Sequence, residues 1–220
     1  KVHPETMGTY LCFEAVGAQV ELTAAVPMAS GRAQLLLIAA ALLLTGYNIW
    51  DGKRAGKSTD RILKEMSDTV TGNPVEEEEP DYVKNPDMEM PTKEIDGRRY
   101  IGILSIPSVQ MELPVMSEWS YPGLRIAPCR YSGSVYSGHM VIAAHNYSTH
   151  FGLLKQVGIG DEVRFTDVEG HVFSYQVAGM ETLLPTAVED MDVESWPLTL
   201  FTCTLGGKSR FTVRCSLVTE

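Results

Sequence analysis

The sequence has few cysteines and few basic residues. Its four cysteines, at positions 12, 129, 203 and 215 of 220 residues, include no C-x-x-C pair. A tetrahedral zinc site therefore has no local support. The 18 Lys and Arg are outnumbered by 28 Asp and Glu, which gives a net charge of −10. Because the chain lacks a basic stripe, it is not expected to bind nucleic acid.

The negative charge is concentrated in one segment. Residues 60–98 hold twelve acidic and five basic residues, including the run Glu76–Glu79. Together with Pro80, Pro86 and Pro91, this composition predicts an acidic flexible linker over residues 51–97. A short helix at 58–66 is compatible with it.

One long apolar segment precedes this linker. Residues 33–50 carry no charge and end with Tyr47 and Trp50. As a helix they measure about 27 Å, enough to cross a bilayer core. We predict a membrane anchor over 33–50 rather than a buried core helix or a cleaved signal peptide. Residues 1–32 form an amino-terminal tail to which the sequence assigns no role.

Basic residues near this segment bear on its orientation. Four of them follow it and only Arg32 immediately precedes it, so the positive-inside tendency would place the C-terminal side in the cytoplasm. The four are Lys53, Arg54, Lys57 and Arg61.

From residue 98 to 220 short apolar runs alternate with turns. Short, closely spaced strands rich in Val, Ile, Phe and Tyr predict an all-β domain, a sandwich or a barrel. Helical turns are predicted only at 121–126 and 151–157. The predicted strands are 100–104, 111–116, 140–144, 162–166, 172–177, 198–202 and 211–217.

Two cysteines of this domain differ in their surroundings. Strict alternation in residues 210–217 puts Cys215 on the apolar face of a strand, as a small buried side chain. Cys203 instead ends a strand and precedes a loop that leads to Arg210. A guanidinium near a thiol favours the thiolate and can bind an oxyanion. Cys203 is a candidate nucleophile, although burial as a filler is equally compatible with the pattern.

A thiol nucleophile needs a partner that accepts and donates protons. His145 ends the apolar run 140–144 and is the best placed of five histidines. Spacing alone leaves His139 and His150 as alternatives. His171 is expected in a solvated turn, and His3 lies before the apolar segment.

Taken together, these residues resemble the sortase family. Thr199-Leu200-Phe201-Thr202-Cys203 looks like the sortase signature T-L-x-T-C, and His145-Asn146 is similar to the family's histidine motif, with Ala144 where glycine is common. Arg210 occupies the position of the sortase arginine, with Arg214 as the alternative. The resemblance covers about residues 100–217 and includes an anchor and linker in front.

The resemblance implies a closed eight-stranded barrel with short helices and a two-step acyl transfer. Cys203 would cleave an LPXTG-like sorting signal of a secreted surface protein. An amine of a cell-wall precursor or of another surface protein would then release the acyl group. His145 would move protons and Arg210 would stabilise the oxyanion, with Thr202 and Asn146 near the substrate. The amino-terminal anchor suggests a class B-like or class D-like enzyme on the outer face of the cell membrane.

No cofactor or metal is predicted. The acidic segment 189–194 could offer oxygen ligands to calcium, but a solvated loop is the favoured interpretation. A non-catalytic, membrane-tethered binding barrel is the alternative function. An L,D-transpeptidase is disfavoured, because those enzymes have a histidine close before the cysteine and residues 200–202 contain none.

Overall fold

The computed structural model of this protein describes residues 31–70 and 80–218. Most of the predicted tail 1–32 and the acidic run Glu76–Glu79 lie outside the described residues. The elements discussed below all belong to the two described ranges.

The domain that follows residue 90 is a mixed β-sheet closed into a barrel. Its eight barrel strands are joined in the order β2-β3-β4-β5-β8-β9-β7-β6, and β6 pairs back with β2. This confirms the predicted closed eight-stranded barrel. The strands are β1 Lys93–Ile95, β2 Arg98–Ile106, β3 Met111–Met116, β4 Cys129–Ser134, β5 His139–Ala144, β6 Glu162–Asp167, β7 Val172–Leu183, β8 Leu198–Cys203 and β9 Arg210–Leu217.

Short helices fill the connections between strands. The predicted helical turns at 121–126 and 151–157 are present as a short α-helix and a 3-10 helix. The helices are α1 Gly31–Val70, α2 Asp81–Lys84, α3 Tyr121–Leu124 and α4 Val188–Met191, with 3-10 helices at Pro107–Val109 and Phe151–Gln156.

Closure of the barrel depends on a glycine in β2. Gly102 pairs with Asp167 of β6, and a Cβ atom at Gly102 would come within 2.2 Å of the carbonyl oxygen of Thr166. Only glycine allows the two backbones to approach this closely.

Strands β5, β8 and β9 each have two largely buried faces. The interior of the barrel is filled by alternate apolar residues such as Ile142, Leu200 and Val213. The opposite face carries Val141, Phe201 and their neighbours, and it forms a second apolar cluster outside the barrel. Burial on both sides explains why these strands are almost continuously apolar.

The sequence-based strand prediction missed two strands. β1 forms a hairpin with β2 through Asp96 and Gly97, which both have positive φ, at 51° and 70°. Asp-Gly is the preferred pair for such a two-residue turn, so the signal was present in the sequence. β4 escaped because the alternation of Cys129–Ser134 is weak, and most of its side chains are only half-buried.

The segment predicted as a linker differs most from expectation. α1 continues without a break from Gly31 to Val70, so residues 51–70 are helical and not extended. Its second half packs on the outer cluster of the barrel, with Ile62 and Met66 buried there. The reason is a stripe of small and apolar side chains at helical spacing, Ala55, Thr59, Ile62 and Met66.

The first half of α1 is apolar and exposed. Within the described residues, α1 is the helix whose length and composition suffice to cross a membrane, and none of its apolar window is buried against the barrel. Membrane anchors and signal sequences both have this composition.

Candidate active site

Three neighbouring strands bring the predicted catalytic residues together. β5 and β8 are parallel, with Ala144 opposite Thr202, so the next residues, His145 and Cys203, lie side by side at the strand ends. β8 and β9 are antiparallel, and Cys203 lies directly opposite Arg210. Side chains opposite each other across an antiparallel pair lie about 5 Å apart at Cβ.

All three side chains belong to the outer face of the sheet. Successive residues of a strand point to opposite faces. Cys203 shares its face with Phe201 of the outer cluster, whereas Leu200 and Val213 point into the barrel. His145, Cys203 and Arg210 are only 5%, 2% and 1% exposed. Charges that develop here interact strongly, because water screens them little.

The environment of His145 favours its neutral form. The pKa of His145 is lowered to about 4, first by burial and second by the positive charge of Arg125, while Asp51 acts in the opposite direction. Nδ1 of His145 is buried and has no hydrogen-bond partner among residues 31–70 and 80–218. At neutral pH the imidazole can therefore accept a proton.

Arg210 is held at the start of β9 by its own loop. Its Nη1 donates to the carbonyl oxygens of Ser209, at 3.3 Å, and Gly207, at 3.4 Å. Burial lowers the pKa of Arg210, but an arginine remains a cation in proteins. The guanidinium therefore supplies a positive charge beside Cys203.

Arg214, the alternative arginine, has a structural role. It is buried and forms hydrogen bonds with Glu181 at 2.7 Å, with Thr199 at 3.0 Å and with the carbonyl of Met191 at 2.9 Å. It also donates to the carbonyl of Asp190. Arg214 thus ties the connection between β7 and β8 to the sheet.

Replacing Arg214 with leucine is expected to lower the free energy of unfolding by about 3 kcal/mol. The substitution leaves the carbonyls of Asp190 and Met191 without their charged donor. Urea unfolding of the full chain in detergent measures the change. Arg164→Leu is the matched control, because its ion pair with Glu162 is screened by solvent and should contribute little to stability. Equal losses in both variants would contradict the structural role.

The two residues predicted to lie near the substrate differ in position. Thr202 is buried on the barrel side of β8, and its hydroxyl donates to the carbonyl of Ala144 at 2.8 Å. This bond joins the ends of β5 and β8 and so supports the alignment of His145 with Cys203. Asn146 is half-exposed and follows His145 directly.

The other histidines lie elsewhere in the fold. His139 starts β5, about 20 Å along the strand from His145, and its Nε2 lies 3.3 Å from Asp192. His171 is in the turn between β6 and β7 and bonds to Asp167. His150 is fully buried and lies 3.2 Å from the hydroxyl of Thr59. Among the described histidines, the fold therefore brings only His145 to the end of β5 beside β8.

The other two described cysteines, Cys129 and Cys215, are poor candidates for a nucleophile. Cys129 is buried in the outer cluster and Cys215 in the barrel interior, so the two do not form a disulfide with each other. Burial raises the pKa of each thiol to about 12, which disfavours the nucleophilic thiolate.

Within residues 31–70 and 80–218, one group of side chains has ligand atoms close enough together for a metal. Asp167, Glu169 and His171 are within 4.8 Å of one another. The Asp167 carboxylate already accepts hydrogen bonds from Tyr136, from the ring of His171 and from two backbone amides. These bonds stabilise the turn between β6 and β7 and explain why the three side chains lie close together. In the acidic segment 189–194, Asp192 accepts from Ser132 at 2.6 Å.

Comparison with known proteins identifies the family of this domain. The family profile of the sortase domain matches residues 104–218, which is 115 of the 220 residues. The chain belongs to the sortase family. Sortase A of Bacillus anthracis is 27% identical over 179 residues, covering 77% of this chain and 84% of that protein. Membership in this family makes the chain a cysteine transpeptidase rather than a non-catalytic binding barrel.

Solved sortase structures have the same fold. A sortase D5 transpeptidase from Clostridium perfringens aligns with a TM-score of 0.56 at 18% identity, covering 74% of this sortase and 99% of that chain. Sortase C of Streptococcus pneumoniae aligns with a TM-score of 0.53 at 20% identity, covering 73% and 97%.

Several residues near His145 could not be found from the sequence. Asp51 and Arg125 both act on the charge of His145, and Tyr147 lies with its ring centroid 4.9 Å from the imidazole. Asp51 is 94 positions before His145 and fell inside the predicted linker. No local pattern connects Asp51 with His145, and only the docking of α1 brings these two residues together.

Proposed function

We propose that this sortase cleaves an LPXTG-like sorting signal through a thioester on Cys203 and transfers the acyl group to an amine. The observation that supports this most is the register of β5, β8 and β9. It aligns an imidazole, a sulfur and a guanidinium at adjacent strand ends on one face of the sheet. These are the three groups that acyl transfer by a thiol requires.

The first step forms the acyl-enzyme. Neutral His145 takes the proton of Cys203, and the sulfur attacks the carbonyl carbon of the scissile Thr-Gly peptide bond. Arg210 stabilises the negative charge that develops on the carbonyl oxygen. When the C–N bond breaks, the imidazolium of His145 gives its proton to the departing amine, and a thioester remains on Cys203.

The second step reverses the roles. An incoming amine loses a proton to His145 while its nitrogen attacks the thioester carbon. The C–S bond then breaks, and the sulfur of Cys203 leaves as a thiolate that recovers the proton. The acceptor is an amine of a cell-wall precursor or of another surface protein. Thr202 holds the strand ends in place, and half-exposed Asn146 is available to the substrate.

The proposed location is the outer face of the cell membrane. Residues 33–50 span the bilayer and the barrel lies outside, where surface proteins and cell-wall precursors are found. The basic residues after the apolar segment then lie on the outer side, on the docked half of α1. Class B-like or class D-like remains a prediction, since the relatives above carry the designations A, C and D5.

The decisive experiment traps the acyl-enzyme. The full chain in detergent, with reductant, is incubated with a mixture of LPXTG-like peptides and analysed by intact mass spectrometry. We expect a mass increase equal to the peptide fragment ending in threonine, located on Cys203 by peptide mapping. A primary amine should discharge it and yield the amide product.

The identity of the adduct names the preferred motif. Absence of an adduct with every peptide, together with slow labelling of Cys203 by iodoacetamide, would contradict the proposal. An adduct that water discharges but amines do not would make the enzyme a hydrolase rather than a transpeptidase.

A further inference from the structure

The loop that carries the proposed base is held from outside the barrel. Residues 145–150, here called the histidine loop, follow β5 and lead into the 3-10 helix at Phe151–Gln156. The second half of α1 lies against this loop. Three residues of α1 bond to three residues of the loop, all across more than 90 positions of sequence.

The first contact links Asp51 to His145 through a tyrosine. Asp51 is 8% exposed, and its Oδ2 accepts a hydrogen bond of 2.7 Å from the hydroxyl of Tyr147. The Tyr147 ring lies 4.9 Å from the imidazole of His145. The charge of Asp51 also favours protonated His145, the state formed during each transfer. Asp51 therefore fixes the neighbour of the base and stabilises its charged form.

The second contact fixes the far end of the loop. The Thr59 hydroxyl donates to the carbonyl of Ile126 at 3.0 Å, so its oxygen accepts from Nε2–H of His150 at 3.2 Å. Burial lowers the pKa of His150 to about 3, so this ring stays neutral, and its bond to the Thr59 oxygen selects the tautomer that carries the hydrogen on Nε2. The His150 ring is 5.5 Å from that of Tyr147. The ring of Tyr147 thus contacts the rings of both His145 and His150.

Close backbone approach completes the arrangement. Thr149 donates to the carbonyl of Gly52 at 3.1 Å, and a Cβ atom at Gly56 would lie 2.8 Å from the Thr149 methyl group. Further along α1, Ile62 and Met66 are buried in the same outer cluster as Cys203. Burial of these apolar side chains favours the docked position of the helix.

We propose that α1 positions the catalytic base as well as anchoring the chain, with Asp51 acting through Tyr147 and Thr59 acting through His150. This inference rests on the proposed function, in which His145 moves the protons. Both residues are positioning residues, since neither touches the substrate. Acyl transfer then depends on the segment that joins the barrel to the membrane.

Kinetics of the full chain in detergent test this proposal with the peptide that forms the acyl-enzyme. Thr59→Val and Asp51→Asn are each expected to lower kcat about 10-fold to 100-fold, because small misplacements of a reacting group are costly. KM should change less than about twofold, since uniform substrate binding is untouched. Thr59→Ser keeps the hydroxyl and should restore kcat. Combining Asp51→Asn with Tyr147→Phe should cost no more than the larger single effect.

Matched controls lie on the same helix. Asp60→Asn removes an exposed carboxylate and Ser58→Ala a neighbouring hydroxyl, and both variants should retain the wild-type kcat. Thermal unfolding identifies any variant that loses the fold. If a variant loses the fold, the test of positioning by α1 is the kcat of Thr59→Ser compared with wild type, together with the double-mutant cycle of Asp51→Asn and Tyr147→Phe. Wild-type kcat in Thr59→Val and Asp51→Asn would overturn the proposal, as would a kcat loss in the controls of equal size.

Failure of the proposed function would show separately. A wild-type chain that forms no acyl-enzyme contradicts the proposed function whatever the variants do. Hydrogen exchange needs no substrate: amides of the histidine loop should exchange faster in Asp51→Asn than in Asp60→Asn. Equal exchange in the two variants would overturn the positioning by α1 independently of turnover.

Discussion

Replacing Cys203 with alanine is expected to reduce acyl transfer about a millionfold, to below detection. Cys203 is the proposed nucleophile, and removing the nucleophile from catalytic residues that work as a unit abolishes the covalent route. The remaining imidazole and guanidinium cannot form a thioester. Chromatographic separation of cleaved peptide and of amide product measures both half-reactions in the same sample.

Cys215→Ala is the matched control for this loss. It removes another buried thiol, one that faces the barrel interior and whose pKa is raised to about 12 by burial. Activity of Cys215→Ala should stay within about twofold of wild type, at a stability cost of about 1 kcal/mol. Residual transfer in Cys203→Ala, or loss in Cys215→Ala, would contradict Cys203 as the nucleophile.

Replacing His145 with glutamine is expected to lower kcat/KM about 10²-fold to 10⁴-fold. Glutamine keeps a polar side chain at the end of β5 but cannot carry a proton between sulfur and amine. His171→Gln, in the turn between β6 and β7, is the control and should retain activity. A variant His145→Gln that turns over at the wild-type rate would remove the proposed base from the mechanism.

The pH profile tests the same assignment from another direction. Because burial lowers the pKa of His145 to about 4, the neutral, proton-accepting form persists as the pH falls from 7 to 5. We expect kcat/KM of the wild type to decline only as the pH approaches 4, where the ring becomes protonated. An acid limb near 6.5, the ordinary pKa of histidine, would contradict a buried, neutral His145 in the free enzyme.

Much of the barrel follows from local patterns. Strict alternation in residues 210–217 predicts β9 and the interior position of Cys215, and both are confirmed. Where the alternation of apolar and polar residues is weak, as in β4, the strand was not predicted. Ala55, Thr59, Ile62 and Met66 recur at helical spacing in the sequence. The charged and polar residues between them give the segment the composition of a linker, and the prediction followed that composition. Tertiary packing turns this marginal helix into a docked one.

The site is harder to predict because its geometry is non-local. Spacing could not separate His145 from His139 and His150. The separation follows from the parallel pairing of β5 with β8, which joins residues 58 positions apart. No sequence pattern indicates that Asp51 and Thr59 contact the histidine loop, because their partners Tyr147 and His150 lie 96 and 91 positions further along the chain.

In the proposed orientation, the unbroken course of α1 sets where the reaction takes place. With residues 33–50 in the bilayer, Thr59 is nine residues beyond Trp50, about 14 Å along the helix axis. The histidine loop is thereby held at a fixed height just above the lipid headgroups. Donors and acceptors that are themselves tethered to the membrane meet the site within a thin layer, where their effective concentration far exceeds their bulk value. Soluble peptides lack this advantage, so we expect an anchored enzyme to favour substrates that have not yet left the membrane.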